Sequence, residues 1–396
     1  MDFSHFIAPV AASDFIERHF GQSPLHIPAT PAGKPLLIDW PRLNALLSIA
    51  PHWTEGNLKL VLNSRPVSPE FYMDRIETLD GTVSRADPAK IGVFLAMGAS
   101  LVANDVENIA PELAVITDML ADRFGAVSNA NIYCSFAGIQ AFATHCDLHE
   151  VFALQCHGTK KWRFYRNRAD NPLTQPSGGA DVQQMIDQAR GPVAMEVLMQ
   201  PGDLLYVPRG VYHDAIATSD ESLHVTFAVA PHTGRLLLRL LAETAIEQSS
   251  FRAYLPDGRT EDRAALSRHL ADLAAQLATI AASPLLCDRV IDAQRMLAKP
   301  RHTLTLPMRP KLHSFARTDR PADIQSTAAG MVLVTAGGRR PVGTAFAIVE
   351  WALARPAFSA EEIGARFAHI PAPERQRTID LMVREQLFIA YVPALG

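Results

Sequence analysis

The chain has 396 residues, 48% of them hydrophobic and 20% charged, with a formal net charge of −4. That length allows two or three domains with a sizeable core, and the mild acidity gives no global reason to expect nucleic-acid binding, leaving a segregated basic patch as the one route to it. The four cysteines, Cys134, Cys146, Cys156 and Cys287, show neither CxxC spacing nor disulfide-framework density, the opening MDFSHFIAPVAASDF has no basic stretch followed by an apolar one, and no apolar run approaches membrane-spanning length, so the cytoplasm is the expected location.

Ser13–Phe20 reads as a short amphipathic helix, with Ser13 placed to cap it and Phe15, Ile16 and Phe20 at helical spacing. QSPLHIPAT then predicts an extended segment. Trp40–Ile49 and Pro69–Leu79 read as helices opening near a proline, Leu58–Leu62 as a short apolar strand, and Ala103–Phe124 as a long helix ended by Gly125. This lead-in carries no catalytic constellation and is expected to pack on the strand-rich region C-terminal to it.

From Asn131 to Ala230 the pattern changes to short alternating strands broken by Gly, Pro and Asn, the signature of a small β-barrel or jelly roll. His145 and Asp147 are two residues apart, so on an extended segment both leave the same face and can reach one metal ion. His213 is the best third ligand, since it closes a turn after the apolar strand Leu204–Val207. Two imidazoles and a carboxylate with open positions suit a non-heme Fe(II) oxygenase, although a histidine in an apolar strand is more often a hydrogen-bonded core residue. Lys160 raises the odds. In Lys160–Tyr165 it alternates in phase with Trp162 and Phe164, on what reads as a buried face, and an inward ammonium calls for an acidic ligand. The competing reading is that the strand is twisted or that Lys160 snorkels to the rim. Between the two ligand segments, Asn167–Gly191 is a polar insertion, either a disordered flap or a functional lid.

After Pro231 the chain turns helical over Arg235–Gln248 and again where Leu266, Leu270, Leu273, Leu277 and Ile280 recur, a stripe that suits either an intramolecular core or a dimer seam. Thr303–Leu306 and Met331–Thr335 predict strands, Thr344–Ala354 a helix, Ser359–Glu362 a capping box before a second helix, Pro373–Glu385 a third, and Leu387–Val392 a last strand. Helices flanked by strands in this order resemble a winged helix. The third helix, PERQRTIDLMVREQ, balances acids against bases and so offers no evident phosphate-gripping surface.

The segment SNANIYCSFAGIQAFATHCDLHEVFALQCHGTKKWRFY, with PGDLLYVPRGVYHDA and LHVTFAV after it, resembles the JmjC-type ribosomal oxygenases, cupin-like protein hydroxylases, and is most similar to their histidyl-hydroxylase branch. The likeness is strongest over Phe124–Pro231. It implies an α+β fold built on a double-stranded β-helix, with a catalytic domain over 1–231, a helical dimerisation region over 232–300 and a winged-helix-like domain over 301–396. It implies Fe(II) on His145, Asp147 and His213, with 2-oxoglutarate and O2 as co-substrates. Lys160 would hold the distal carboxylate of 2-oxoglutarate, Asn131 and Thr226 would line the same pocket, and Tyr133 would face the cleft between iron and substrate. The implied reaction is hydroxylation of a side chain of a protein or peptide, with a ribosomal protein (histidine or arginine) as first choice, by a homodimer that binds no membrane and no nucleic acid directly. Cys146 departs from the family, which more often has an aromatic residue at that place, and this puts the substrate side of the pocket in doubt. A tailoring hydroxylase of a small biosynthetic peptide, a cupin enzyme using a metal without 2-oxoglutarate, and a non-catalytic cupin and winged-helix ligand sensor are the alternatives.

Overall fold

Alternating residues lay much of the chain into two facing sheets. The structure, a computed structural model, describes residues 2–30, 37–49, 52–79, 81–176, 179–259, 263–297, 314–327 and 330–390. It divides into two units, Met1–His302 and Thr303–Gly396.

The first unit opens with helices α1 (Phe3–Phe6) and α2 (Ala12–Arg18), strand β1 (Leu25–Ile27), α3 (Trp40–Leu47), and strands β2 (Leu58–Leu62) and β3 (Arg65–Pro66). A hairpin of β4 (Met73–Thr78) and β5 (Gly81–Ala86), helix α4 (Pro88–Ala96), strand β6 (Ser100–Ala103) and helix α5 (Pro111–Phe124) complete the lead-in. Then come β7 (Ala126–Phe136), β8 (Glu150–His157), β9 (Lys160–Arg168), α6 (Gly179–Ala189), β10 (Val193–Met199), β11 (Leu204–Val207), β12 (Val211–Ala217) and β13 (Glu221–Pro231). Helices α7 (Gly234–Ala245), α8 (Ser249–Arg252), α9 (Arg263–Ala281) and α10 (Pro284–Leu297) complete the same unit.

Eight strands pair in the order β1-β11-β8-β13-β7-β6-β2-β3, and three in the order β10-β9-β12. The middle strands of the large sheet read as near-continuous apolar runs because both of their faces are covered. On one face, Phe152 and Leu154 of β8 and Tyr206 of β11 pack with Phe3, Phe6 and Phe15 of the lead-in helices. On the other, Val151 and Ala153 of β8 and Leu205 and Val207 of β11 share a second core with Trp162, Phe164, Val197 and Met199 of the small sheet. The lead-in thus covers the back of the large sheet, and the front of that sheet is left to enclose a site.

Several expectations for the lead-in are corrected. Over Pro69–Leu79 only Pro69–Phe71 is helical, as a 3-10 turn, and Met73–Thr78 is a strand paired with Gly81–Ala86. Its alternation is of period two, and Thr78 Oγ1 donates to the Gly81 carbonyl across the hairpin turn, so cross-strand bonds win over helical ones. Ala103 ends a strand held between β2 and β7, and the long helix begins only at Pro111, after Asp105 takes a left-handed φ of 56°. Gly125, with φ of 54°, closes that helix as expected. Ser13 does not cap α2: the helix starts at Ala12 from an Ala11 cap that makes no side-chain bond. The segment Arg235–Gln248 is helical over Gly234–Ala245, capped by the Thr233 side chain. Of the leucine stripe only Ile280 is buried, and Leu270 is 48% exposed.

The second unit holds β14 (Ser314–Arg317), β15 (Ala322–Thr327), β16 (Gly330–Thr335), β17 (Gly338–Pro341), α11 (Phe346–Leu353), β18 (Ala357–Ser359), α12 (Ala360–Arg366), α13 (Ala372–Arg384) and β19 (Phe388–Ala390). Its sheets run β18-β14-β19 and β15-β16-β17 around a core of Ile348, Ile363, Met382 and Phe388. The Ser359 capping box forms in full, with Glu362 reaching back to the Ser359 N–H. The strand expected at Thr303–Leu306 lies outside the described residues, as do the last two residues of Leu387–Val392. No single described helix is long and apolar enough to cross a membrane.

Candidate active site

The register of the small sheet determines which side chains look inward. β9 pairs with β12 so that Phe164 faces His213, Trp162 faces Ala215 and Lys160 faces Ala217. These residues therefore share the face turned toward the large sheet. His145 is brought alongside by an isolated antiparallel bridge, in which its N–H donates to the His213 carbonyl at 3.0 Å and the His213 N–H returns a bond at 2.8 Å.

That bridge makes a cluster of the residues singled out as a triad. One ligand atom from each of His145, Asp147 and His213 lies within 4.8 Å of the others. His213 Nε2 is 3.6 Å and His145 Nε2 is 3.9 Å from the Asp147 carboxylate. Each imidazole is oriented from behind, His145 Nδ1 on the Ala143 carbonyl and His213 Nδ1 on the Val211 carbonyl, both at 2.9 Å. A carbonyl only accepts, so Nδ1 carries the proton and the Nε2 lone pair is left to ligate. Burial, aided by the neighbouring His145, pushes His213 down to about 4, so it is neutral at physiological pH. Burial alone would push the Asp147 carboxyl up, but His145, His213 and His149 together hold it below its ordinary value. Two neutral imidazoles and one ionised carboxylate, oriented before any ion arrives, fit a divalent transition metal with positions left open.

A second carboxylate supports the cluster from outside. Asp214, 1% exposed, accepts from Thr144 Oγ1 at 2.9 Å, Arg163 Nε at 2.7 Å and the Tyr165 hydroxyl at 2.6 Å. Thr144 precedes His145 and Asp214 comes directly after His213, so one buried group ties together the segments that carry two of the ligands. Its adjacency to His213 is visible in the sequence, but its partners come from β9 and from the segment that carries His145.

Between the two sheets lies a cavity of about 640 Å³ that the triad lines at one place and Lys160 at another. Lys160 is 3% exposed and does not snorkel to the rim. Among the described residues it has no carboxylate partner, and its only hydrogen-bonding neighbour is His224 Nδ1 at 3.5 Å. Burial pushes its ammonium down to about 8. Beside it, β13 pairs with β7 so that His224 faces Tyr133 and Thr226 faces Asn131. Tyr133, His224 and Thr226 line the cavity. Asn131 is not among the lining residues: its carboxamide accepts from the Asp105 N–H at 3.2 Å and acts on the hydroxyl of Tyr133, which does line the cavity. Burial, then Asp147, raises the Tyr133 hydroxyl well above its usual range, which keeps it protonated.

The described part of the 167–191 insertion forms a wall of this cavity. Gln175, Pro176, Gln183 and Ile186 line it, and Gln175 and Gln183 donate to the Cys146 and Thr144 carbonyls at 2.9 and 3.2 Å, on either side of His145. Cys146 itself is buried and does not line the cavity, so its thiol leaves the pocket wall unaltered.

Residues 105–237 match the JmjC domain family. The chain is 29% identical over 231 residues to ribosomal oxygenase 1 of Gallus gallus, covering 57% of this chain and 36% of that protein. It is 29% identical over 269 residues to the bifunctional lysine-specific demethylase and histidyl-hydroxylase NO66 of Dictyostelium discoideum, covering 64% and 49%. The chain thus spans between about a third and a half of the length of these relatives. A structure of the Escherichia coli ribosomal oxygenase YcfD in complex with cobalt and 2-oxoglutarate matches over 96% of this chain and 98% of that one, with a TM-score of 0.51 at 16% identity, which speaks to the fold. The JmjC cupin-like fold, mixed helix and sheet, is the one expected from the sequence.

Proposed function

We propose that this JmjC-domain chain is an Fe(II)- and 2-oxoglutarate-dependent oxygenase that hydroxylates a side chain of a protein or peptide, with a ribosomal protein as the first substrate to test. The observation that carries the reading is the presence in one cavity of the His145–Asp147–His213 cluster and a buried lysine that has no carboxylate partner among the described residues. The names of the relatives, ribosomal oxygenase and histidyl-hydroxylase, favour this substrate class.

His145, Asp147 and His213 would hold the metal, and Lys160 would pair with the far carboxylate of the co-substrate, with Thr226 and Tyr133 on its flank. Bound Fe(II) supplies the activation of O2 that, coupled to decarboxylation of the co-substrate, places a hydroxyl on a nearby C–H. The chain's own part is to fix both ends of the co-substrate. A charge-assisted bond from a buried ammonium is short, strong and directional, so the lysine sets how the reacting end is presented. The insertion, walling the cavity through Gln183 and Ile186, limits water entry and shapes the substrate approach.

The catalytic part spans 1–231, the helices of 232–300 form a dimer seam, and 301–396 is a winged-helix-like, protein-contacting module in a cytoplasmic enzyme. The poor burial of the α9 stripe supports the seam, since a helix that covers its leucines within one chain would hide more than Ile280. The balance of acids and bases on α13 supports protein contact over nucleic-acid contact.

The test is anaerobic titration of the Fe(II)-loaded chain with 2-oxoglutarate, monitored by the visible charge-transfer band of the chelate. A band that is lost in His145→Ala and Lys160→Ala is expected, and with it the mass gain of one oxygen on a ribosomal protein. No band and no binding would overturn the reading.

A further inference from the structure

His224 is a buried imidazole that sequence reasoning leaves unassigned. It sits on the inward face of β13, 3% exposed, and lines the cavity. Its ring is held on three sides: stacked on Tyr133 at 4.8 Å, against the edge of Trp162 at 5.8 Å, and with Nδ1 3.5 Å from Lys160 Nζ. Burial and the nearby ammonium drive its pKa well below the ordinary histidine value, so the ring is neutral.

A neutral imidazole beside a lysine has one chemically sensible tautomer. An ammonium has only donors, so Nδ1 must accept, and the ring proton resides on Nε2. Among the described residues Nε2 makes no hydrogen bond. An N–H donor whose ring is immobilised in a polar cavity leaves its bond for a ligand to make. The nearest group that calls for an anion is Lys160 itself. Lysine is a flexible point charge, and one ammonium alone fixes the position of a carboxylate poorly; a second, rigid donor would define its orientation.

We propose that His224 is a second anion-binding residue of this cavity: Lys160 fixes its tautomer, and the His224 Nε2–H together with the Lys160 ammonium grips the far carboxylate of a dicarboxylic oxo acid. The assignment rests on the proposed function for the identity of the acid. It adds that recognition of the far carboxylate is two-pronged, so the pocket discriminates by the length of the acid as well as by its charge.

The test is calorimetric binding to the full chain loaded with Mn(II), with 2-oxoglutarate and 2-oxobutyrate as probes, since the second keeps the chelating end and lacks the far carboxylate. His224→Leu is expected to weaken 2-oxoglutarate by roughly 10- to 100-fold, the range of a charge-assisted bond, and 2-oxobutyrate by less than about threefold. His224→Gln, which keeps a donor near the Nε2 position, should recover most of the affinity, and His224→Asn, which keeps a group only near Nδ1, should not. The Gln and Asn variants carry the comparison if the Leu variant fails to fold. Unchanged 2-oxoglutarate binding in all variants overturns the assignment and leaves the proposed function standing, as does equal loss for both acids, which marks a purely structural role. Wild-type protein that binds no 2-oxoglutarate overturns the proposed function and this assignment together.

Discussion

The two ends of the cavity are built on opposite terms. Around His145, Asp147 and His213 the protein meets its own hydrogen-bonding needs: backbone carbonyls orient both imidazoles, and Asp214 ties Thr144 to Arg163 and Tyr165 behind them. Around Lys160 it does not, and among the described residues a buried ammonium is left with a single 3.5 Å contact to a neutral ring. The first arrangement makes a site rigid before its ligand arrives. The second stores a cost in the empty fold that an acidic ligand removes.

Four variants test this contrast. The largest effect is expected at the metal end. His213→Ala takes away one of the three clustered ligands, so metal-dependent co-substrate binding should vanish in a Co(II) absorption titration; retention of the wild-type spectrum would mean the cluster is not the metal site. Next is Lys160→Met, which should act in two directions at once. Binding of 2-oxoglutarate should fall by about 100-fold or more for loss of a buried charge pair, while the ligand-free protein becomes more stable in a denaturant titration.

The same variant tests a pH limb. Folding lowers the Lys160 pKa from 10.5 to about 8, so between those values the unfolded chain holds more protons than the folded one. Stability of the ligand-free wild type should therefore rise with pH across this window, by an amount on the order of 3 kcal/mol. Lys160→Met should lack that rise, and an identical limb in both proteins would assign it elsewhere. In the same window 2-oxoglutarate binding should weaken, because the lysine must be charged to receive it.

Asp214→Asn should have a smaller effect, about 1–3 kcal/mol of stability for a buried network left partly unsatisfied. Metal affinity should drop with it, while the discrimination between 2-oxoglutarate and 2-oxobutyrate stays as in wild type. The smallest change is expected for Gln183→Ala, which frees the Thr144 carbonyl from the insertion. It should raise KM for the protein substrate severalfold, as for loss of one hydrogen bond, and leave metal and co-substrate affinities unchanged.

The structure favours some kinds of sequence signal over others. The triad and Lys160 are legible because each depends on a local period: a two-residue step from His145 to Asp147, and alternation from Lys160 through Trp162 to Phe164. Gly125 and the Ser359 capping box are legible for the same reason, since a helix end is settled by the few residues around it. The Pro69–Leu79 segment misleads because a proline at a first turn suits a 3-10 turn as well as a helix, and the hairpin partner at Gly81–Ala86 settles the choice. His224 and Asp214 are not legible as site residues. Nothing adjacent to them in the chain says that one meets Lys160 and the other Thr144.

Because side-chain direction along a strand is set by covalent geometry, the β-rich core of the chain, its inward-facing positions and the residue types able to bind a metal and an acid can be read from the chain alone. Which of those positions meet depends on pairing between distant strands. The pairing of β12 with β9 and of β13 with β7 aligns residues far apart in the chain, and a shift of one residue in either register would turn His213 or His224 to the other face. Burial was decided there too: the lead-in helices close one face of the large sheet and the small sheet closes the other, and this leaves Lys160 a buried charge in need of a ligand.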